Sequence, residues 1–328
     1  LHAIAVQAYL EKLRSMPEFT GYFYWLINDF PGGTLEGAEW NWGWLDLFWQ
    51  PKQITPEEGR RMNAAVLPML DLPVDSRTFW LEDGIAVNVL LSNYGESPIG
   101  AGKLVWSLSA NGRKLASGDA PLPAIPLGSV SKAGRIETGA LAGSEAVEME
   151  LALSIESGSA RHENRWKLWG FPRAGLARST AMPVESMVKS ANLKRWFPFL
   201  EERNDGAAPV LVASNLNPRA VETLRAGGRV LLLAEPGAFG GLTTYFPPGP
   251  GAALGLRIDP SHPALRGFPH DGFPDLQFYN LLEGGVQLDF GATPILNGLR
   301  MTRATPDNRF SRVTFLSEAK VGKGKLLL

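Results

Sequence analysis

Cysteine is absent from this chain of 328 residues. Disulfides, thiolate metal sites and thiol nucleophiles are therefore excluded, while the redox compartment stays undetermined. No run of about 18 apolar residues occurs, so no membrane-spanning helix is encoded. Net charge is nearly absent too: 32 Lys and Arg against 33 Asp and Glu leave −1, which offers no electrostatic footprint for nucleic acid or an anionic bilayer. The one acidic imbalance is local, with 5 basic and 10 acidic side chains in residues 1–75. Internal repeats are missing, and so is the GxxxxGK[ST] spacing of a phosphate loop, which makes the GKGK of residues 322–325 a tight turn between strands.

What is present describes a globular protein. Hydrophobic residues make up 45%, charged residues 20% and aromatics 10%, and the length predicts two or three domains rather than one core. The chain begins at Leu1 within a helical pattern and stops at KLLL within a strand pattern, so it reads as an internal piece of a longer protein.

Residues 3–13, AIAVQAYLEKL, predict a helix that Pro17 closes. Gly21 to Ile27 is a continuous apolar run of strand length, the pattern of a parallel strand covered on both faces. It ends on two polar residues, Asn28 and Asp29, and a loop rich in Gly and Trp follows. Thr55-Pro56-Glu57-Glu58 supplies an N-cap, a proline at the first helical position and acids in the first turn. It predicts a helix from there to about Leu70.

From Thr78 the hydrophobic period changes to two. Ile85, Val87 and Val89 form one expected strand, and Leu104, Trp106 and Leu108 another. Asn111-Gly112 signals a hairpin, and VEMELALSI buries Val147, Met149, Leu151, Leu153 and Ile155 on one face. Several short strands over residues 76–173 predict an immunoglobulin-like β-sandwich, closing on NRWKLWGFP at 164–172. Residues 174–328 change character again. A strand at Val210–Ala213, an Asn217-Pro218 helix start, a Gly227-Gly228 stop and a strand at Val230–Ala234 make a βαβ unit, hence a parallel sheet.

Helix, buried strand, long loop, helix is the local grammar of a β/α barrel, in which the C-terminal ends of the strands face the active site. Asn28 and Asp29 fall at such an end. The stretch GYFYWLINDFPGG, with the Trp-rich loop and WQPK after it, resembles the last barrel strand and loop of family two glycoside hydrolases, the β-galactosidases, β-mannosidases and β-glucuronidases. Trp25, Asn28, Asp29 and Lys52 match the family's order. NRWKLWGFP is similar to its Asn-x-Trp strand. HPALRGFPHDGF and EAKVGKGKLLL resemble the flavodoxin-like or amidotransferase-like tail of some bacterial members.

The resemblance implies three parts: the end of a catalytic (β/α)8 barrel at residues 1–75, an immunoglobulin-like sandwich at 76–173, and a truncated, non-catalytic flavodoxin-like or amidotransferase-like α/β domain at 174–328. It implies a retaining β-glycosidase acting on a carbohydrate substrate. One carboxylic acid protonates the glycosidic oxygen while a second carboxylate attacks the anomeric carbon, the two about 5–5.5 Å apart. That glutamate pair is expected upstream of Leu1, which leaves this segment inactive alone. No cofactor is required by the chemistry, a homo-oligomer is left open, and family habit favours a periplasmic or extracellular location.

Each candidate has a structural alternative. Trp25 either stacks on a sugar ring or fills a barrel; Asn28 and Asp29 either bind hydroxyls and orient catalytic groups or cap their own turn. Trp42, with Trp40 and Trp44, either lines the subsite or anchors a loop, and Lys52 either meets substrate or sits in solvent. His262, His270 and Asp271 match no metal-ligand spacing. An amidotransferase-like sheet would carry a nucleophilic cysteine near Glu235, and none exists. The alternative to an enzyme fragment is a non-catalytic carbohydrate-binding or assembly module.

Overall fold

A computed structural model describes residues 2–16, 18–19, 21–24, 27–29, 43–52, 54–173, 183–189, 193, 195, 197, 200, 209–234, 242–243, 254–282, 286–287, 293–302 and 309–328. Two compact units divide the chain, Leu1–Pro172 and Arg173–Leu328.

The first unit opens with the expected helix, α1 (His2–Arg14). Val6 and Leu10, one turn apart, are buried against Ile54 and Met62, with Tyr24 and Trp44 packed at the margin. Met62 belongs to α2 (Pro56–Met62), which carries a complete capping box: the Thr55 hydroxyl accepts from the Glu58 amide, and the Glu58 carboxylate accepts from the Thr55 amide at 2.8 Å.

Two expectations fail in this region. The helix from Pro56 does not run to Leu70; it stops at Met62, and Val66–Asp71 form strand β1 instead. Pro68 would break a helix there, whereas an edge strand tolerates it, and β1 pairs with one strand only. The Gly21–Ile27 run is also not a buried strand. Among its described residues none is in a strand, and Phe23 and Ile27 are 105% and 55% exposed. A strand needs a partner strand for its backbone groups, and the one bridge described here is that of Asn28, just past the segment, to Leu45.

The rest of the unit is a sandwich of two sheets. Strands β2 (Thr78–Trp80), β3 (Ala86–Asn93), β4 (Gly102–Ala110), β5 (Arg113–Leu122), β6 (Ser129–Glu137), β7 (Val147–Ser157) and β8 (Ala160–Phe171) join β1 in the orders β1-β3-β6 and β2-β8-β7-β4-β5. Their inner faces meet in one core: Val89 and Leu91 from the smaller sheet, Leu104, Leu108, Leu151 and Ile155 from the larger, all wholly buried. Strand β7 keeps the expected alternation, with Met149, Leu151, Leu153 and Ile155 inward. The β4–β5 turn is the expected Asn-Gly hairpin. Asn111 and Gly112 both have positive φ, +50° and +72°, as a type I′ turn demands.

The second unit holds the predicted βαβ element. Strand β9 (Val184–Ser186) lies beside β10 (Val210–Ala213), which leads through α3 (Pro218–Arg225) to β11 (Arg229–Leu232), all three strands parallel. Asn217 caps α3 by accepting from the Ala220 amide at 2.9 Å. Leu211, Ala213, Ala220, Leu224 and Val230 form its core. A short pair, β12 (Leu242–Thr243) with β14 (Val286–Gln287), stands separately. The main sheet continues through β13 (Leu254–Ile258), β15 (Thr293–Thr302), β16 (Arg309–Val321) and β17 (Gly324–Leu327) in the order β13-β15-β16-β17-β11-β10-β9.

Only β9, β10, β11 and β17 run parallel; β13, β15 and β16 are antiparallel additions. The wholly parallel sheet expected of a flavodoxin-like domain is therefore not what forms. The reason lies at Gly322-Lys323, the turn between β16 and β17, where Val321 pairs with Gly324 and Gly322 has φ +60°. Two residues can only reverse a chain, whereas a parallel neighbour needs a crossover.

Candidate functional site

Around Asn28 and Asp29 the chain folds back on itself through the Trp-rich loop. The Asp29 amide donates to Leu45 O at 2.9 Å, and the Trp44 and Leu45 amides donate to Ile27 O. Gly43 is obligatory at this crossing: a Cβ there would lie 2.4 Å from the Asp29 nitrogen and 2.5 Å from the Asn28 carbonyl carbon.

The Asp29 side chain is buried, and both of its oxygens are engaged. Oδ1 accepts from the Gly43 amide at 2.7 Å and from Lys52 Nζ at 3.0 Å; Oδ2 accepts from Lys52 Nζ at 2.9 Å. Lys52, read from sequence as either substrate contact or solvated residue, is thus the partner of Asp29, at 19% side-chain exposure. Asn28, half-buried, donates from Nδ2 to the Asp29 carbonyl at 3.0 Å. Trp44 packs edge-on to Tyr24, ring centroids 5.2 Å apart, and lies against Gly59 of α2, where a Cβ would come within 3.0 Å of the indole. Trp44 is therefore an anchor. Trp25, Trp40, Trp42 and Glu235 lie outside the described residues.

Between the two partners of the ion pair the chain makes a tight turn. Asp46 Oδ1 accepts from the Phe48 and Gln50 amides at 2.8 and 2.9 Å, and Asp46 N and Gln50 O close the loop at 2.9 Å. Leu47, Phe48 and Trp49 project from it, 36%, 79% and 64% exposed. Trp49 has φ +64°, an outlier for a bulky side chain. The sequence reading passed over this turn; its signal was Asp46 two residues before Phe48, the spacing of an Asx turn.

A second polar cluster also escaped the sequence reading, although its members were in view. Glu11 of α1 is buried. Its Oε1 accepts from Gln7 at 2.9 Å, Asn164 at 3.0 Å and Trp166 at 2.8 Å, and Arg77 stands 3.9 Å from Oε2. Burial raises the Glu11 carboxyl above its ordinary range, against the opposing pull of Arg77 and of the three donors. Asn164 Nδ2 also donates to Pro68 O at 2.9 Å. The Asn-x-Trp motif therefore fastens α1 and β1 to β8.

Two cavities among the described residues are large enough to hold a small ligand. One, about 790 Å³, lies on the outer face of the larger sandwich sheet, framed by Lys103, Lys114, Asp119, Glu150, Arg161 and Glu163. The other, about 460 Å³, belongs to the second unit, where His262, Glu318, Lys325 and Arg229 surround Val210 and Leu231. Neither is lined by Asn28, Asp29 or Lys52. His262 and His270 each accept a backbone amide through Nδ1, from Ala264 and Gly272. No group of three metal-capable side chains occurs among the described residues.

With this geometry in hand, comparison with known proteins adds the following. Two family models match, both described as domains of unknown function: DUF8488 over residues 83–172 and DUF8487 over residues 211–328. The first ends at Pro172, where the first compact unit also ends. No curated protein matches. Solved structures with some likeness are glycoside hydrolases. One is a β-glucuronidase from glycoside hydrolase family 2, at 12% identity over 53% of this chain and 20% of its own, TM-score 0.24. Another is β-glucuronidase 3 of Bacteroides uniformis, at 14% identity over 58% of this chain and 22% of its own, TM-score 0.22. A family 123 glycoside hydrolase from Clostridium perfringens, described in terms of glycolipid glycan hydrolysis, follows at 10% identity, 51% of this chain and 48% of its own, TM-score 0.21. The chain thus spans about a fifth of the length of the two β-glucuronidases. Likeness this partial leaves the functional argument with the chain's own residues.

Proposed function

We propose that this chain is the C-terminal part of a retaining β-glycosidase, in which residues 1–75 complete a catalytic β/α barrel and the glutamate pair lies upstream of Leu1. The observation that carries the reading is the Asp29–Lys52 ion pair. Both residues belong to the motif that resembles family two glycoside hydrolases, and 23 positions apart in sequence they meet in one buried contact. Motif letters that merely coincided would have no reason to touch. The Asn-x-Trp motif adds support, because Asn164 and Trp166 both bind Glu11 of the helix preceding the matched strand.

In this reading Gly21–Ile27 takes the place of the eighth barrel strand only when upstream chain supplies the neighbouring strands, which would bury the exposed Tyr22, Phe23 and Ile27. Trp25, Asn28 and Trp42 line the sugar subsite, and Asp29 acts on it through Lys52 and Gly43 by holding the loop in place. The sandwich orders β1-β3-β6 and β2-β8-β7-β4-β5 support an immunoglobulin-like domain with β2 added at one edge, and the second unit is an α/β domain without catalysis. Hydrolysis of nitrophenyl β-glycosides by the full-length protein, compared with residues 1–328 alone, tests the reading. The full-length protein is expected to hydrolyse at least one such glycoside and the shorter chain none. Activity in the shorter chain would overturn the placement of the glutamates; inactivity of both would overturn the glycosidase.

A further inference from the structure

Eight of the fifteen large apolar side chains exposed among the described residues lie between Tyr9 and Trp49. Five of the eight fall on α1 and in residues 19–27; Leu47, Phe48 and Trp49 lie on the tight turn between the partners of the ion pair, whose base meets Ile27 O through the Trp44 and Leu45 amides. That turn is rigid. Asp46 accepts two of its amides, the Trp49 amide donates back to Asp46 O at 3.1 Å, Leu45 bridges Pro51, and Lys52 N donates to Trp44 O at 3.1 Å. Its base is pinned by Lys52 to the buried Asp29 carboxylate. A rigid turn that sets a Trp at φ +64° and leaves it 64% exposed bears both backbone strain and unburied apolar surface. Neither contributes to the fold, and strain of this kind collects at ligand-contacting sites.

Resting on the glycosidase reading, we infer that this turn is a saccharide platform, with Trp49 receiving the C–H face of a pyranose ring, Phe48 flanking it and the exposed Gln50 carboxamide meeting ring hydroxyls. An indole offers an apolar body that covers one sugar face and leaves the equatorial hydroxyls in water. Among the described residues the Gln50 side-chain carboxamide makes one hydrogen bond, from Nε2 to Phe48 O, long at 3.5 Å, which leaves its carbonyl oxygen to face a ligand. Charge separates this occupant from a bilayer: residues 43–50 contain no basic side chain, and residues 1–75 hold ten acidic against five basic, which repels anionic lipid. A second copy of the chain is the competing occupant; the three side chains of the turn by themselves fall short of the roughly 800 Å² per partner of a stable protein interface. The platform extends the proposed substrate from a single glycoside to a β-linked oligosaccharide, with sugar units beyond the one cleaved held on the turn.

Calorimetric titration of the 328-residue chain with β-1,4-linked cellohexaose, mannohexaose and galactohexaose tests this. At least one hexasaccharide is expected to bind, Trp49→Gly to weaken it by about tenfold or more, and Phe48→Ala by a smaller factor. Because glycine relieves the strained φ, the melting temperature of Trp49→Gly should be no lower than that of the parent, which separates lost binding from lost fold. The platform is overturned if none of the three sugars binds, if Trp49→Gly binds as well as the parent, or if sedimentation shows a Trp49-dependent dimer in place of glycan binding. Any of these results beside intact hydrolysis of nitrophenyl β-glycosides by the full-length protein removes the platform and keeps the glycosidase; absent hydrolysis removes the glycosidase itself.

Discussion

Trp166 donates its indole N–H to both carboxylate oxygens of Glu11, at 2.8 and 3.0 Å, across 155 positions of sequence. Both side chains are buried, and a buried carboxylate that loses a donor keeps the full cost of its desolvation. Trp166→Phe preserves an aromatic ring and removes the donor. It is expected to destabilise the first unit by about 2 kcal/mol, read as a lower midpoint in urea denaturation.

The same carboxylate makes stability depend on pH in a definite direction. Burial raises the Glu11 carboxyl above 4.5 in the folded state, so between 4.5 and the raised value the folded chain binds more protons than the unfolded one. Stability from this group is full below the unfolded value and is lost as pH rises through the folded value. Denaturant melts of the parent and of Glu11→Gln between pH 4.5 and 8 isolate the effect. The parent should gain on the variant as pH falls, by at most about 1.4 kcal/mol per pH unit.

Lys52→Ala strands the Asp29 carboxylate in a buried position with the Gly43 amide as its remaining described donor. Removing one partner of a buried pair costs about 3 kcal/mol. Asp29→Asn with Lys52→Ala together should cost less than the sum of the two single changes. A double-mutant cycle on unfolding free energy measures that coupling, and additivity would show that the pair is not one unit.

Glycine positions separate two kinds of cost. At Gly112, φ is +72° and an added Cβ meets nothing within 4 Å, so Gly112→Ala is expected to cost about 1 kcal/mol of backbone strain alone. At Gly84, φ is +66° and the Cβ would fall 1.8 Å from Gly139 O, so Gly84→Ala should prevent the sandwich from closing. Soluble yield and circular dichroism distinguish the two outcomes.

How much was legible follows from the range of the forces involved. The Thr55 N-cap, the Asn217 cap and the Asn111-Gly112 turn were readable because each is made within four residues. Strand β7 was readable because alternate burial leaves its period in the letters. The Gly21–Ile27 run misled for the opposite reason. Apolar letters record a capacity for burial, but a strand exists only where another strand supplies hydrogen bonds, and Phe23 is fully exposed. Val66–Asp71 misled through neglect of Pro68, which a helix rejects and the edge strand β1 accepts.

Composition and local pattern alone determined that the chain lacks thiol chemistry, that its middle is a β-sandwich, and that a βαβ unit follows. Only the tertiary structure decided that Asp29 belongs to Lys52, that Glu11 is held by Asn164 and Trp166, and that β16, β15 and β13 join the parallel strands of the second sheet antiparallel at its β17 side. The physical reason is that a buried carboxylate is stabilised by donors gathered from distant parts of the chain, and no short window of sequence records which donors will arrive.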